Sequence, residues 1–249
     1  MSSADLPRHF VVVGAQRSGT TYLHDLLEQH PEIAMARPKR PEPKVFLRHT
    51  RLTADAYRER YFKHATDEPV YGEKSTSYLE SMVAPELIAR VLGAPQILVQ
   101  LRDPIERAVS NWRFSTQHGL EERPLADALA QNLEGPLPWD PDITSVSPFA
   151  YLERGRFADD LARWVKKFDT QVVFLEETAA GAEAIQAVYA WLGVDPDVRP
   201  DALGHPVNAS EGEESQLSDE LVADLREWYD EPDRRLSDLL GRDLPWRQP

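Results

Sequence analysis

The residues best suited to chemistry lie together in Gly14-Ala15-Gln16-Arg17-Ser18-Gly19-Thr20-Thr21. Its two glycines permit a tight turn in which successive backbone N–H groups converge on an anion, and Arg17 sets a permanent cation inside that turn. The run His9 to Gly14 reads as a short buried strand. Leu23, Leu26, Leu27 and His30 then repeat at helical spacing as far as Pro31. A turn between a strand and a helix N-terminus gains unsatisfied donors and about half a positive charge. The spacing is that of a phosphate loop, with Ser18, Gly19, Thr20 and Thr21 as further donors. Thr20 stands where nucleotide triphosphatases carry lysine, which argues against a triphosphatase.

Other candidates follow along the chain. Glu73 closes the run Val70 to Glu73, at the strand end where open parallel sheets bind ligands, so its carboxylate is the expected general base. Lys74 would steady that carboxylate or the group transferred. Arg102 ends the apolar strand 96–101, Asp103-Pro104 is a strong helix start, and Ser110 follows two turns later. His118 is the second candidate base, because imidazole titrates near neutrality, although a histidine before glycine also suits a helix C-terminus. Residues 37–51 carry six Lys/Arg against one acid, the pattern of a solvated loop or of an acceptor-binding loop.

The elements that must position these residues alternate. Strand-like 70–72, 96–101 and 171–175 precede helix-like 79–92, 104–117 and 181–192, which predicts an α/β fold: one P-loop-type domain over 1–249, a central parallel sheet with helices on both faces. Residues 134–148, with four prolines, and 194–213 read as irregular. Either 37–51 or 134–148 could close over an acceptor. From Leu217 onward the chain returns to helix, with Pro232 expected to break it before a second short helix reaches Gly241.

Composition bounds the rest. The chain has 249 residues, 41% hydrophobic, enough for a proper core, and no cysteine, which excludes disulfides, thiolate metal sites and cysteine nucleophiles. A net charge of −14 argues against nucleic-acid partners. The longest apolar runs are far below a membrane span and no signal peptide is evident, so a cytoplasmic protein without membrane association is expected. No aspartate–histidine cluster with ligand spacing is read, so no metal is expected.

Gly14 to Leu23 resembles the 5′-phosphosulfate loop of sulfotransferases that use 3′-phosphoadenosine 5′-phosphosulfate (PAPS). Glu73 to Tyr78 resembles the segment with the catalytic glutamate in the heparan sulfate N- and 3-O-sulfotransferase branch. Leu101 to Asn111 resembles the family's 3′-phosphate element, and Tyr151 to Phe168 a later cofactor-contacting segment, with Phe157 where the branch usually has tyrosine. Arg40 to Phe46 loosely resembles the branch's substrate segment. The resemblance implies a sulfotransferase with PAPS as donor and adenosine 3′,5′-bisphosphate (PAP) as product. It assigns Arg17 to the leaving phosphate, Glu73 to proton acceptance, Arg102 and Ser110 to the 3′-phosphate, and Tyr151 and Gly155 to cofactor contact. The acceptor would be a hydroxyl or amine of a small molecule or glycan. Two alternatives stay open: a kinase or NTP hydrolase using ATP and magnesium, with Glu176-Glu177 as Walker-B-like carboxylates, and a noncatalytic nucleotide-binding module.

Overall fold

A computed structural model describes residues 6–140, 147–205 and 217–247. Five strands, β1 (Arg8–Gly14), β2 (Ile33–Met35), β3 (Val70–Lys74), β4 (Gln96–Leu101) and β5 (Thr170–Phe174), form one parallel sheet in the order β2-β3-β1-β4-β5. The chain divides into two compact units: Met1–Leu101 with Asp160–Asn208, which holds the sheet, and Arg102–Asp159 with Ala209–Pro249.

In the first unit, strand alternation sends Phe10, Val12, Leu98 and Val173 to one face. There they meet Tyr22, Leu23, Leu26 and Leu27 of α1 (Thr20–Glu28) and Ile185, Val188, Tyr189 and Leu192 of α8 (Glu183–Leu192). Val11, Val13, Ile97 and Val99 point to the other face and are equally buried, so both faces are covered, as a parallel sheet requires. Trp164, on α6 (Phe157–Lys167), is fully buried and donates its indole N–H to the Leu79 carbonyl at 3.1 Å. Elements not read from the sequence also belong here, among them β2, only three residues long, and α2 (Ala54–Tyr61), whose N-cap Thr53 accepts from the Ala56 N–H. The helix expected over 79–92 is α3 (Ala84–Leu92). Residues 79–83 instead turn, with Leu79 N–H on the Val13 carbonyl and Ser81 Oγ accepting from Val83 and Ala84. β5 leads directly into α7 (Leu175–Ala180).

The second unit is helical. α4 (Pro104–Gln117) starts where the Asp-Pro signal puts it, with Asp103 Oδ1 accepting from Ile105 N–H at 2.9 Å. Ile105, Ala108 and Val109 pack with Ala128 and Leu129 of α5 (Leu125–Asn132), with Tyr151 and Leu152, and with Leu221 and Leu225 of α9 (Asp219–Trp228). Pro232 does not break the tail helix. The break is at Tyr229, and Pro232 sits in the first turn of α10 (Asp230–Leu240), where a missing N–H costs nothing. The proline-rich stretch is irregular over its described residues, 134–140 and 147–148, and residues 141–146 and 206–213 of the two expected irregular stretches lie outside the described residues.

Trp164→Ala should destabilise the first unit by about 3–5 kcal/mol, read from urea unfolding; a loss below about 1 kcal/mol would mean that the indole is not part of its core.

Candidate active site

Parallel pairing makes β1, β3 and β4 deliver their C-terminal ends to one edge of the sheet, and the loop 14–19 leaves β1 between the other two. Gln100 of β4 holds that loop twice. Its carbonyl accepts from Ala15 N–H at 2.7 Å and its side-chain amide donates to the Ser18 carbonyl at 2.6 Å. Gln16 adds a 2.8 Å bond to Ser77. Gly19 adopts φ 75°, and a Cβ there would lie 2.6 Å from Leu175 Cδ1 and 2.9 Å from Gln100 Nε2, so the position admits only glycine. Arg17, half-buried, also takes a left-handed conformation at φ 69°, an uncommon one for a side chain of this size.

The loop ends on the N-terminus of α1. The first intrahelical acceptor there is the Gly19 carbonyl, which receives Leu23 N–H, and glycine supplies no side-chain cap, so the first-turn N–H groups of Thr20, Thr21 and Tyr22 lack an intrahelical partner. Ser18 is fully buried, and its hydroxyl has no hydrogen-bond partner among the described residues. A buried hydroxyl without a partner beside first-turn amides without an intrahelical acceptor is an arrangement that can receive an anion such as a phosphate.

Glu73 and Lys74 end β3, and their environments differ. Glu73 is fully buried, with Oε1 accepting from Ser75 Oγ and Tyr78 Oη, each at 2.7 Å, and Oε2 accepting from Tyr57 Oη at 2.5 Å. Burial pushes its pKa up, while the three hydroxyl donors favour the anion and pull it back. Lys74 pairs at 2.5 Å with Glu42 of the basic segment, and the other Glu42 oxygen accepts from Thr76 N–H at 3.1 Å. The Glu42 side chain keeps 15% of its surface exposed. Sequence reading placed Glu42 in the Arg40–Phe46 segment, whose resemblance to a substrate segment is loose, and gave it no role. Its partners stand 32 and 34 positions away, so no local spacing marks it.

Next to this array, His24, Asp25 and Glu28 of α1 bring ligand-type atoms within 4.8 Å of one another, a grouping that the sequence reading missed. The Lys39 ammonium already occupies it, bonded to Asp25 and 3.8 Å from Glu28. Burial and the neighbouring lysines lower the His24 pKa to about 4.

The remaining expected site residues belong to the second unit. Arg102, directly after β4, pairs with Glu106 at 3.0 Å, and Ser110 is half-buried on α4. His118 caps the end of α4, exposed, with Nδ1 2.8 Å from the Phe114 carbonyl, the arrangement of a helix-terminal histidine. Tyr151 is fully buried and gives its hydroxyl to Glu121 at 2.9 Å. A Cβ on Gly155 would stand 2.5 Å from Tyr229 Oη, so this glycine serves close packing. Phe157 is buried in turn.

Residues 9–134, just over half of the chain, match the model described as the sulfotransferase family. A bifunctional heparan sulfate N-deacetylase/N-sulfotransferase 1 from Mus musculus is 28% identical over 200 residues, covering 76% of this chain and 22% of that protein. The membrane-associated sulfotransferase kil1 of Dictyostelium discoideum is 32% identical over 112 residues, covering 44% of this chain and 23% of that protein. The chain thus spans under a quarter of the length of these curated relatives. A crystal structure of a sulfotransferase from Alicyclobacillus acidocaldarius superposes with a TM-score of 0.76 at 25% identity, over 97% of this chain and 99% of that one. No helix among the described residues is long and apolar enough to cross a membrane.

Because the folded state raises the Glu73 pKa above its ordinary 4.5, the carboxyl contributes stability below that value and loses it as pH rises through the raised value. Wild type should therefore gain stability relative to Glu73→Gln when pH is lowered from 7 toward 4.5, compared by urea midpoints. A difference that does not change with pH would mean that the carboxyl is not shifted.

Proposed function

Since the chain belongs to the sulfotransferase family, we propose that it moves a sulfuryl group from PAPS to a hydroxyl or amine of a small molecule or glycan, releasing PAP. The observation that carries this reading is the loop after β1, where an orphan buried serine hydroxyl and the uncapped N-terminus of α1 flank the Arg17 backbone. Ser18, Gly19, Thr20 and Thr21 would hold the 5′-phosphate end by N–H and hydroxyl donors. Arg17 would balance the charge left on the phosphate by a fixed positive charge, without giving up a proton at neutral pH. The donor supplies a sulfuryl group bonded to a phosphate that departs as an anion, and positioning and charge balance are what the protein adds.

For the acceptor's proton, geometry supports Glu42 over the expected Glu73. Glu42, held in place by Lys74 and Thr76, keeps exposed surface through which an acceptor can reach it, whereas Glu73 has none. Arg102 and Ser110 are the proposed partners of the 3′-phosphate, the group that distinguishes PAP from ADP-like nucleotides. His118 and Tyr151 are left out of the site, because the Phe114 carbonyl and Glu121 engage their polar atoms.

Thermal unfolding with PAP, set against ADP and ATP with magnesium, tests the donor. At 100 times the dissociation constant a native-state ligand adds about 2.7 kcal/mol. A rise specific to PAP is expected, and a rise only with ATP and magnesium would move the chain to a kinase. Arg102→Ala should weaken PAP binding while leaving 5′-AMP binding nearly unchanged; equal losses would misplace the 3′-phosphate. Glu42→Gln should lower sulfuryl transfer at least about 100-fold with PAP binding intact, whereas unchanged transfer would remove Glu42 as the base.

A further inference from the structure

Both oxygens of the buried Glu73 carboxyl are engaged, and in its ionised form the direction of the bonds around it is forced. An ionised carboxylate only accepts, so Ser75, Tyr78 and Tyr57 must each spend their single hydroxyl hydrogen on it. What is left on Ser75 and Tyr78 is acceptor capacity. Two backbone donors use it: Lys44 N–H bonds Ser75 Oγ at 2.9 Å, and Phe46 N–H bonds Tyr78 Oη at 3.2 Å. Two relays therefore run from the backbone of the basic segment, through a hydroxyl, into the same oxygen Oε1 of Glu73.

The residues these relays hold are ones that need holding. Lys44 takes a left-handed conformation at φ 50°, unfavourable for a residue with a Cβ, and starts the short turn Val45–Leu47. Phe46 is fully buried between Tyr57 and Tyr78, with ring centroids 5.6 and 5.7 Å away. Two residues before Lys44 stands Glu42, the carboxylate paired with Lys74, while Arg40, Lys44, Arg48 and Arg51 are exposed. The third donor, Tyr57, ties in α2, so Glu73 gathers both the basic segment and the helix that follows it.

We infer that Glu73 is a positioning residue for the acceptor side of the site: its buried carboxylate orients the Ser75 and Tyr78 hydroxyls so that they fix the backbone at Lys44 and Phe46, and through it Glu42. The assignment rests on the reading of Glu42 as proton acceptor, but the anchoring itself is measurable without an acceptor. A glutamine at position 73 offers one accepting oxygen and two donating hydrogens, so at least one of the three hydroxyls is left with no acceptor for its hydrogen. The double variant Ser75→Ala/Tyr78→Phe removes both relays and leaves the carboxylate in place.

Trypsin cleavage at Lys44–Val45, Arg48–His49 and Arg51–Leu52 reads the anchoring directly, with cleavage after Arg234 and Arg235 as the control for general loosening. Glu73→Gln and Ser75→Ala/Tyr78→Phe should each speed cleavage in the segment at least about 10-fold over the control sites, and combining them should add nothing, because they cut the same relay. In wild type the Lys44 and Phe46 amide proton resonances should titrate together with the Glu73 δ-carbon, and in Glu73→Gln they should stop. Should Glu73→Gln not fold, Ser75→Ala and Tyr78→Phe singly carry the same cleavage test. Unchanged cleavage in the segment, additive effects, or amide resonances that ignore Glu73 would each overturn the assignment. PAP-dependent melting of the same variants keeps the two readings apart. No response to PAP in wild type sinks the donor assignment, whatever the cleavage pattern, and a retained response with unchanged cleavage sinks only the anchoring.

Discussion

A loop that offers its backbone N–H groups to a ligand cannot use them to hold itself, so its shape must be imposed by neighbours. Here Gln100 imposes it from β4, with its main-chain carbonyl on Ala15 and its side-chain amide on the Ser18 carbonyl. The same close approach excludes a side chain at position 19. β3 completes the support: Ser75 N–H reaches the Val12 carbonyl and Leu79 N–H the Val13 carbonyl, so the chain leaving β3 is stitched to the end of β1. Preorganisation of this kind matters in sulfuryl transfer, where orientation and fixed charge do most of the work.

Much of this architecture was readable in advance. The strands announced themselves as apolar runs, and α4 was bounded to the residue because Asp103-Pro104 is both a cap and a first-turn pair. The glycine-rich loop was legible because its signal is local: glycine spacing, a cation and a following helix all fall within eight positions. Short β2 and weakly amphipathic α2 were missed because neither has enough apolar periodicity to exceed its surroundings.

The roles of the two glutamates were harder to read for a physical reason. Whether a glutamate can serve as a base depends on what surrounds it, and the partners of Glu73 and Glu42 come from up to 34 positions away. The segment Glu73 to Tyr78 looks like a run of side chains aimed at a substrate, yet Ser75 and Tyr78 turn inward onto Glu73. Tyr151 is a parallel case in the second unit: a tyrosine in a cofactor-like segment whose hydroxyl is drawn to Glu121, thirty residues earlier. In both places burial, which no spacing encodes, turns a polar side chain toward an internal partner.

The cations between residues 37 and 63, most of them exposed, have a consequence for the approach of charged ligands. Nine Lys/Arg stand there against three acids, in a chain whose total charge is −14, so the rest of the molecule is more acidic than the whole. An anion approaching this segment therefore meets more attraction than the net charge of the chain predicts, a local pull that added salt weakens.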